Sequence, residues 1–253
     1  MLRSSSAGVE LFARYAHAPN ALGFCGPSSG IGTTEPEIRE AARRFSGAWP
    51  YLQVLARLTG VDDPLDAGLV EAYWLGRDLG VDTAEFGREL LAVIGPQAGH
   101  YWSHLTAQLL VTGAPDHGFH VFGVYPWSRL LGRGSEPLHV LDSCRIRWGT
   151  VVEAADESVT VEVRHLTWDG RALGLGAPVV EVLQQSHFHA GILRESGFAA
   201  TTPAVGETVA LHWDRFCDVL TPEQVADLER STLRELAATN LRLGAERPGE
   251  LAI

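Results

Sequence analysis

The sequence contains no lysine; all 20 of its basic residues are arginine. That excludes Schiff-base lysine chemistry and any phosphate-binding loop that ends in Gly-Lys. Cysteine is scarce as well. Cys25, Cys144 and Cys217 are odd in number and far apart, which is no disulfide framework and suits a reducing compartment. No apolar run approaches the roughly 20 residues that a membrane helix needs. Met1 to Glu10 lacks the apolar stretch of a secretory signal. A cytoplasmic protein without membrane association is therefore expected. Positive charge is also in deficit. The formal net charge is −11, so there is no electrostatic basis for holding a nucleic acid backbone.

What is present is 253 residues, 45% of them hydrophobic, enough for a substantial core in one large domain or two small ones. Helical signals dominate up to about residue 132. Thr34 and Glu37 form a capping pair for a helix over 35–46, with Pro36 in its first turn. Pro50 opens a helix over 51–58 that Gly60 closes, Asp66 caps one over 67–75, and Asp82 caps one over 83–94. Further helices are expected over 101–111 and, interrupted at Pro126, over 119–131.

The period then changes. Cys144 to Ala154 and the alternation Val159, Val161, Val163 read as strands. Trp168-Asp169-Gly170-Arg171 reads as a tight hairpin turn. Residues 173–183 give one or two strands split near Gly176-Ala177-Pro178, and 205–213 give another. Thr221-Pro222-Glu223-Gln224 is a capping box for a C-terminal helix with Val225, Leu228, Leu233 and Leu236 as its apolar stripe, ended by Gly244. The expected fold is α+β: an all-α domain over 1–132, then, over 133–253, a small OB-like β-barrel closed by a C-terminal helix.

Several side chains are candidates for chemistry. Cys144 is flanked by Asp142, Arg145 and Arg147, and nearby guanidinium charge would favour thiolate, the form that binds metals. The plainer alternative is a small buried residue on a strand. His212 lies on a strand among apolar neighbours and reads, alone, as a hydrogen-bonded structural histidine. Cys25 sits in the turn-rich segment 15–27 before Gly26-Pro27, either as a thiol on a shaped loop or as a structural cysteine. His117 and His120 would share a face if their segment is helical. With Cys25 they would make an N/S metal site, or Asp116 caps a helix and one histidine simply packs. His187 and His189 would point the same way on a strand. His100 and His104 have zincin spacing, but no glutamate lies between them to act as base. There is no dinucleotide-binding glycine loop and no Cys-x-x-Cys pair. The seven tryptophans read as packing.

Taken together, Cys144 and His212 carry a resemblance. In Cys144-Arg145-Ile146-Arg147-Trp148-Gly149-Thr150-Val151, the Cys, Gly and Val are spaced as in the opening strand of the HypC-type chaperones of nickel–iron hydrogenase maturation. Gly206-Glu207-Thr208-Val209-Ala210-Leu211-His212 resembles that family's Gly-Asp-x-Val-x-Val-His strand, and a C-terminal helix follows in both. The departures are an internal Cys144 without a free amine beside it, Trp148 where the family has Pro, Arg147 at the Ile position, and extra residues around 164–198. The resemblance covers roughly the last two-fifths of the chain. It implies that Cys144 and His212 hold iron bearing cyanide and carbon monoxide ligands. The implied partners are a HypD-like maturation protein and the immature hydrogenase large subunit.

Three functions follow as expectations. The first is an accessory factor of hydrogenase maturation that carries the iron moiety or chaperones the large-subunit precursor through Cys144 and His212. The second is a metal-dependent enzyme whose ligands are Cys25, His117 and His120 in the helical half. The third is a structural adaptor that needs no metal.

Overall fold

A computed structural model of the chain describes residues 5–95, 109, 112–155, 158–184 and 203–245. The expected helix over 101–111 and the pairs His100/His104 and His187/His189 lie outside the described residues, except Leu109.

The N-terminal part is helical. The helices are α1 (Ser5–Ala21), α2 (Glu35–Ala42), α3 (Trp49–Thr59), α4 (Ala67–Leu75) and α5 (Thr83–Ile94). Their ends follow the local chemistry. Thr34 and Glu37 form the capping box of α2, although the helix stops at Ala42, short of residue 46. Asp66 accepts from the Gly68 N–H and Asp82 from the Glu85 N–H at the starts of α4 and α5. Gly60 closes α3 at φ 70°, where other residues are strained. One helix escapes the sequence reading. Residues 15–21, expected in a turn-rich loop, are the last turns of α1, and the loop begins only at Leu22. Pro19 sits inside that helix. Val9, Phe12, Tyr15 and Ala16 bury one face of it, and this packing outweighs the local turn signals.

A second group of short elements follows. These are α6 (His117–Phe119), a π turn (His120–Val124), a 3₁₀ turn (Pro126–Leu130) and α7 (Glu136–Cys144). The strands come next: β1 (Arg147–Ala154), β2 (Ser158–Trp168), β3 (Leu173–Gln184), β4 (Thr208–His212) and β5 (Arg215–Leu220). The last element is α8 (Pro222–Ala245). Asp169-Gly170 makes the expected turn, with Asp169 accepting from the Arg171 and Ala172 N–H groups. β3 runs unbroken through Gly176-Ala177-Pro178, with a register irregularity opposite Arg164–Leu166 in place of the expected split.

The five strands form one antiparallel sheet in the order β3-β2-β1-β4-β5. The fold is thus mixed helix and sheet with a C-terminal helix. The expected closed barrel is not present among the described residues: β3 and β5 are the two ends of the strand order and do not pair. Val151, Val159, Val161, Val163, Val209, Leu211 and Phe216 cluster on one face of the sheet. Ile146, Ala210, Cys217 and Leu220 belong instead to the core cluster of the N-terminal helices. A further cluster joins Ala18 and Phe122 to Cys144, Leu166, Trp213 and Leu236. Apolar packing therefore runs across residues 132–133.

The capping box at Thr221 and Gln224 starts α8. Its inward face is more polar than the sequence suggests. Ser231, Thr232, Glu235 and Thr239 are buried beside Leu228 and Leu236, whereas Leu233, expected in the stripe, is 51% exposed.

Candidate metal centre

Three side chains from three separate elements meet in the interior. One ligand atom each from His117, Cys144 and His212 lies within 4.8 Å of the others, and all three residues are buried. His117 opens α6, where Asp116 caps the turn by accepting from the Phe119 N–H at 2.9 Å. Cys144 is the last residue of α7, which corrects the expectation that it opens a strand. His212 ends β4. The next residue, Trp213, adopts φ 57°. Its N–H donates to the Ser143 carbonyl at 2.7 Å, and its carbonyl accepts from Arg147 at 2.7 Å. These bonds hold the end of β4 against the end of α7, and so His212 beside Cys144.

The protonation of His212 follows from α1. In a helix the Tyr15 carbonyl would accept from the N–H four residues on, but that residue is Pro19, which has none. The released carbonyl lies 2.6 Å from His212 Nδ1. A carbonyl can only accept, so Nδ1 carries the proton and Nε2 carries the lone pair. Nε2 is buried and makes no hydrogen bond of normal geometry, although the Cys144 backbone is near enough to favour protonation of the ring. Burial outweighs that effect and lowers the His212 pKa to about 4. A neutral imidazole with Nδ1–H on a backbone carbonyl and a bare Nε2 is in the form that binds metals.

His117 shows a conflict over protons. Its Nε2 lies 2.8 Å from the Cys144 carbonyl and its Nδ1 lies 3.2 Å from the Tyr73 hydroxyl. The same hydroxyl donates to the Gly47 carbonyl at 2.9 Å. If Nε2–H donates to Cys144, Nδ1 and Gly47 compete for one phenol proton. If Nδ1–H donates to Tyr73, every bond around the phenol is satisfied, and the Nε2 lone pair then faces a carbonyl oxygen. The carbonyl can only accept, so Nε2 carries the proton in the observed arrangement and donates to Cys144, and an ion at Nε2 would have to displace that bond. Burial, with His212 and His120 adding to it, holds the His117 pKa well below the usual histidine value. Trp74 packs on both His117 and His212, with ring centroids at 4.7 and 5.7 Å.

Cys144 departs from expectation in its charge environment. Its flanking arginines do not activate it. Arg145 pairs with Asp142 at 2.9 Å and Arg147 with Glu181 at 3.0 Å. Burial pushes the thiol pKa up, and Cys25 adds to the rise. A bound divalent ion would reverse this, since its own charge dominates the local electrostatics and displaces the thiol proton. Asp142 also anchors the end of α7 to β2 by accepting from the Leu166 N–H at 2.8 Å and from His165 Nδ1 at 2.6 Å. Burial would raise its pKa, but Arg145 and these hydrogen bonds hold it below the usual carboxylate value.

Cys25 and His120 are not members of the three-residue group. Cys25 is half-buried at the edge of the helical core, on the loop after α1, and burial raises its pKa to about 12. His120 begins the π turn, its ring 6.2 Å from that of His117 and 5.6 Å from that of Tyr51. Gly47 leaves room for it: a Cβ there would come within 2.5 Å of His120 Nε2. Burial lowers its pKa to about 3. No local pattern in the sequence marks Tyr15, Tyr73 or Trp74 as a support of the site. Pro19 carries the one readable signal, since a proline inside a helix frees the carbonyl four residues before it.

Residues 4–246 match the model of a family of unknown function, DUF6390. The chain belongs to that family. No curated protein and no solved structure matches it. No helix among the described residues is long and apolar enough to cross a membrane.

Proposed function

We propose that this DUF6390 protein binds a transition-metal ion through His117, Cys144 and His212 and acts as an accessory factor in the maturation of nickel–iron hydrogenase. In that role it would carry the iron moiety or hold the large-subunit precursor. What carries the reading is the convergence of those three buried side chains, with His212 Nε2 left bare by the Tyr15 carbonyl. Cys144 and His212 are the two residues that the HypC-type resemblance selects, and they adjoin in space although they are distant in sequence. Thiolate and imidazole suit a low-spin iron(II) with cyanide and carbonyl ligands, and three protein ligands leave a coordination position open for exchange. An OB-like arrangement of the strands, and docking to a HypD-like protein and to the large-subunit precursor, belong to the same proposal.

The test is an infrared spectrum of protein purified anaerobically from cells that express a nickel–iron hydrogenase operon, beside Cys144→Ala and His212→Ala. Cyanide and carbonyl stretches are expected in the wild type and absent in both variants. Bound metal without those bands would leave a metal protein of another role.

An open coordination position equally suits a metal-dependent enzyme. On that reading His117 remains a ligand, with Cys144 and His212 in place of Cys25 and His120. Metal bound at full stoichiometry by His120→Ala would separate this ligand set from the one expected in the helical half.

A further inference from the structure

One face of the sheet passes out from under the helices. Trp148 and Ala210, which pair between β1 and β4, pack into the helical core. Two residues along β1, Thr150 is exposed, and so are its β2 partner Glu162 and, on the same face of β2, Arg164. At this margin lies a cavity of about 160 Å³. Its walls include the apolar side chains of Trp148, Leu175 and Pro178 and the polar ones of Arg145, Arg164, Thr150 and Glu162.

Arg145 is buried, its side chain only 3% exposed. Its Nε donates to Asp142 at 3.0 Å and its Nη2 to the Arg164 carbonyl at 2.6 Å. Its Nη1 has no hydrogen-bond partner among the described residues. The Trp148 ring offers only its face, with its centroid 6.0 Å from Arg145 Cζ. The Asp142 carboxylate is shared with His165, so it does not serve Arg145 alone. A buried donor left bare costs free energy until an acceptor meets it, and the cavity that Arg145 lines is where one can enter. Arg164 adds a second cation. Its Nη1 donates to the Gly176 carbonyl at 3.0 Å, and it pairs with no carboxylate among the described residues.

We propose that this cavity binds a small monocarboxylic acid with a flat apolar body. The carboxylate oxygens accept from Arg145 Nη1 and from the Arg164 guanidinium, two groups held together by the bond from Arg145 to the Arg164 carbonyl. Hydrogen bonds of this charge-assisted kind are roughly twice as strong as neutral ones. The body of the acid lies against Trp148, Leu175 and Pro178. Its size follows from the volume, since a cavity of about 150 Å³ accepts a benzene ring. Glu162 on the wall selects against a second negative charge, so a monoanion is favoured over a phosphate dianion. The inference does not depend on the metal-site reading.

Benzoate, titrated calorimetrically into full-length protein freed of metal by a chelator, is the probe. Saturable heat is expected. Benzamide has the same shape without the charge and should bind at least about tenfold more weakly, the scale of one charge-assisted hydrogen bond. Benzoate should weaken by a similar factor in Arg164→Ala, whose altered side chain is exposed, and in Arg145→Lys, provided that circular dichroism shows that variant folded. Inorganic phosphate should displace benzoate at least about tenfold less well from the wild type than from Glu162→Gln. A free acid and a peptide C-terminus present the same group. N-acetyl-Gly-Phe competing at least tenfold better than benzoate assigns a chain end as the occupant, and competing no better assigns a free acid. No saturable heat with benzoate, equal affinity for benzoate and benzamide, or unchanged affinity in Arg164→Ala would overturn the assignment.

Discussion

His212 Nδ1 lies 2.6 Å from the Tyr15 carbonyl, the carbonyl that Pro19 leaves without its helical partner. A proline that costs α1 one hydrogen bond thus sets the tautomer of a histidine on a distant strand. Pro19→Ala restores an N–H that competes for the same oxygen. We expect unchanged or higher thermal stability of the apoprotein, because alanine is the better helix former by about 3 kcal/mol in a helix interior. Metal affinity should fall by about tenfold or more, the usual scale for losing an outer-shell partner of a ligating histidine. A chelator-competition titration measures the second effect, and undiminished affinity would show that the Tyr15 contact does not set the ligand form.

Metal binding should appear as stability. A ligand that binds only the folded state adds about 2.7 kcal/mol at a hundredfold excess over its Kd. Zinc or cobalt at that excess should raise the Tm of the wild type. The same addition should leave His117→Ala, Cys144→Ala and His212→Ala within a degree or two of their apo values. A shift retained in all three would place the ion elsewhere.

The buried histidines make the apoprotein sensitive to acid. The His117, His120 and His212 pKa values are depressed in the fold, those of His120 and His212 to about 3 and about 4. Between the unfolded value near 6.5 and these folded values, the unfolded chain holds more protons, so stability is full above about pH 6.5 and is lost as the pH falls. Each histidine contributes about 1.4 kcal/mol per pH unit. Urea denaturation of the apoprotein at pH 7.0, 6.0 and 5.0 should show a steep decline. His120→Phe should make it shallower by about 1.4 kcal/mol per pH unit.

Glu235 works with the opposite sign. It is fully buried on α8, and burial, with Asp116 adding to it, raises its pKa to about 7, against the pull of Arg234. From about pH 4.5 to 7 the folded state holds the extra proton, so this group costs stability as the pH rises through that range. Glu235→Gln keeps the shape and cannot ionise. The variant should match the wild type near pH 4.5 and exceed it above pH 7 by about 2 to 4 kcal/mol. A gap that does not grow with pH would show that Glu235 is not held near neutrality.

Gly149 is fixed by close approach. A Cβ there would sit 2.6 Å from the Glu162 carbonyl oxygen and 2.5 Å from a Val163 methyl, across the β1–β2 pairing. A backbone oxygen cannot move aside as a side-chain tip can, so Gly149→Ala should destabilise by about 1 to 3 kcal/mol. Chemical denaturation measures it, and a neutral effect would mean that the strands separate more easily than their register implies.

Much of the local structure was legible in the sequence because it rests on short-range chemistry. The Thr34–Glu37 and Thr221–Gln224 boxes, the Asp66 and Asp82 caps and the Asp169-Gly170 turn involve groups a few residues apart. The helix over 15–21 is not legible locally, because its stability comes from packing Phe12 and Tyr15 into the core. Nor is the polar inner face of α8, where the buried Ser231 meets Asp116 from an element far away in the chain.

The site divides in the same way. By itself, the sequence determined which residue types are available: three cysteines, no lysine, and histidines at 117, 120 and 212. Only the tertiary structure decided which of them adjoin. It joins His117 to Cys144 and His212, leaves His120 in its own niche beside Gly47, and turns Arg145 and Arg147 toward carboxylates and away from the thiol. Ligand geometry depends on contacts between elements far apart in the chain, and those contacts are set by how the helices pack against the sheet, which no local pattern of residues encodes.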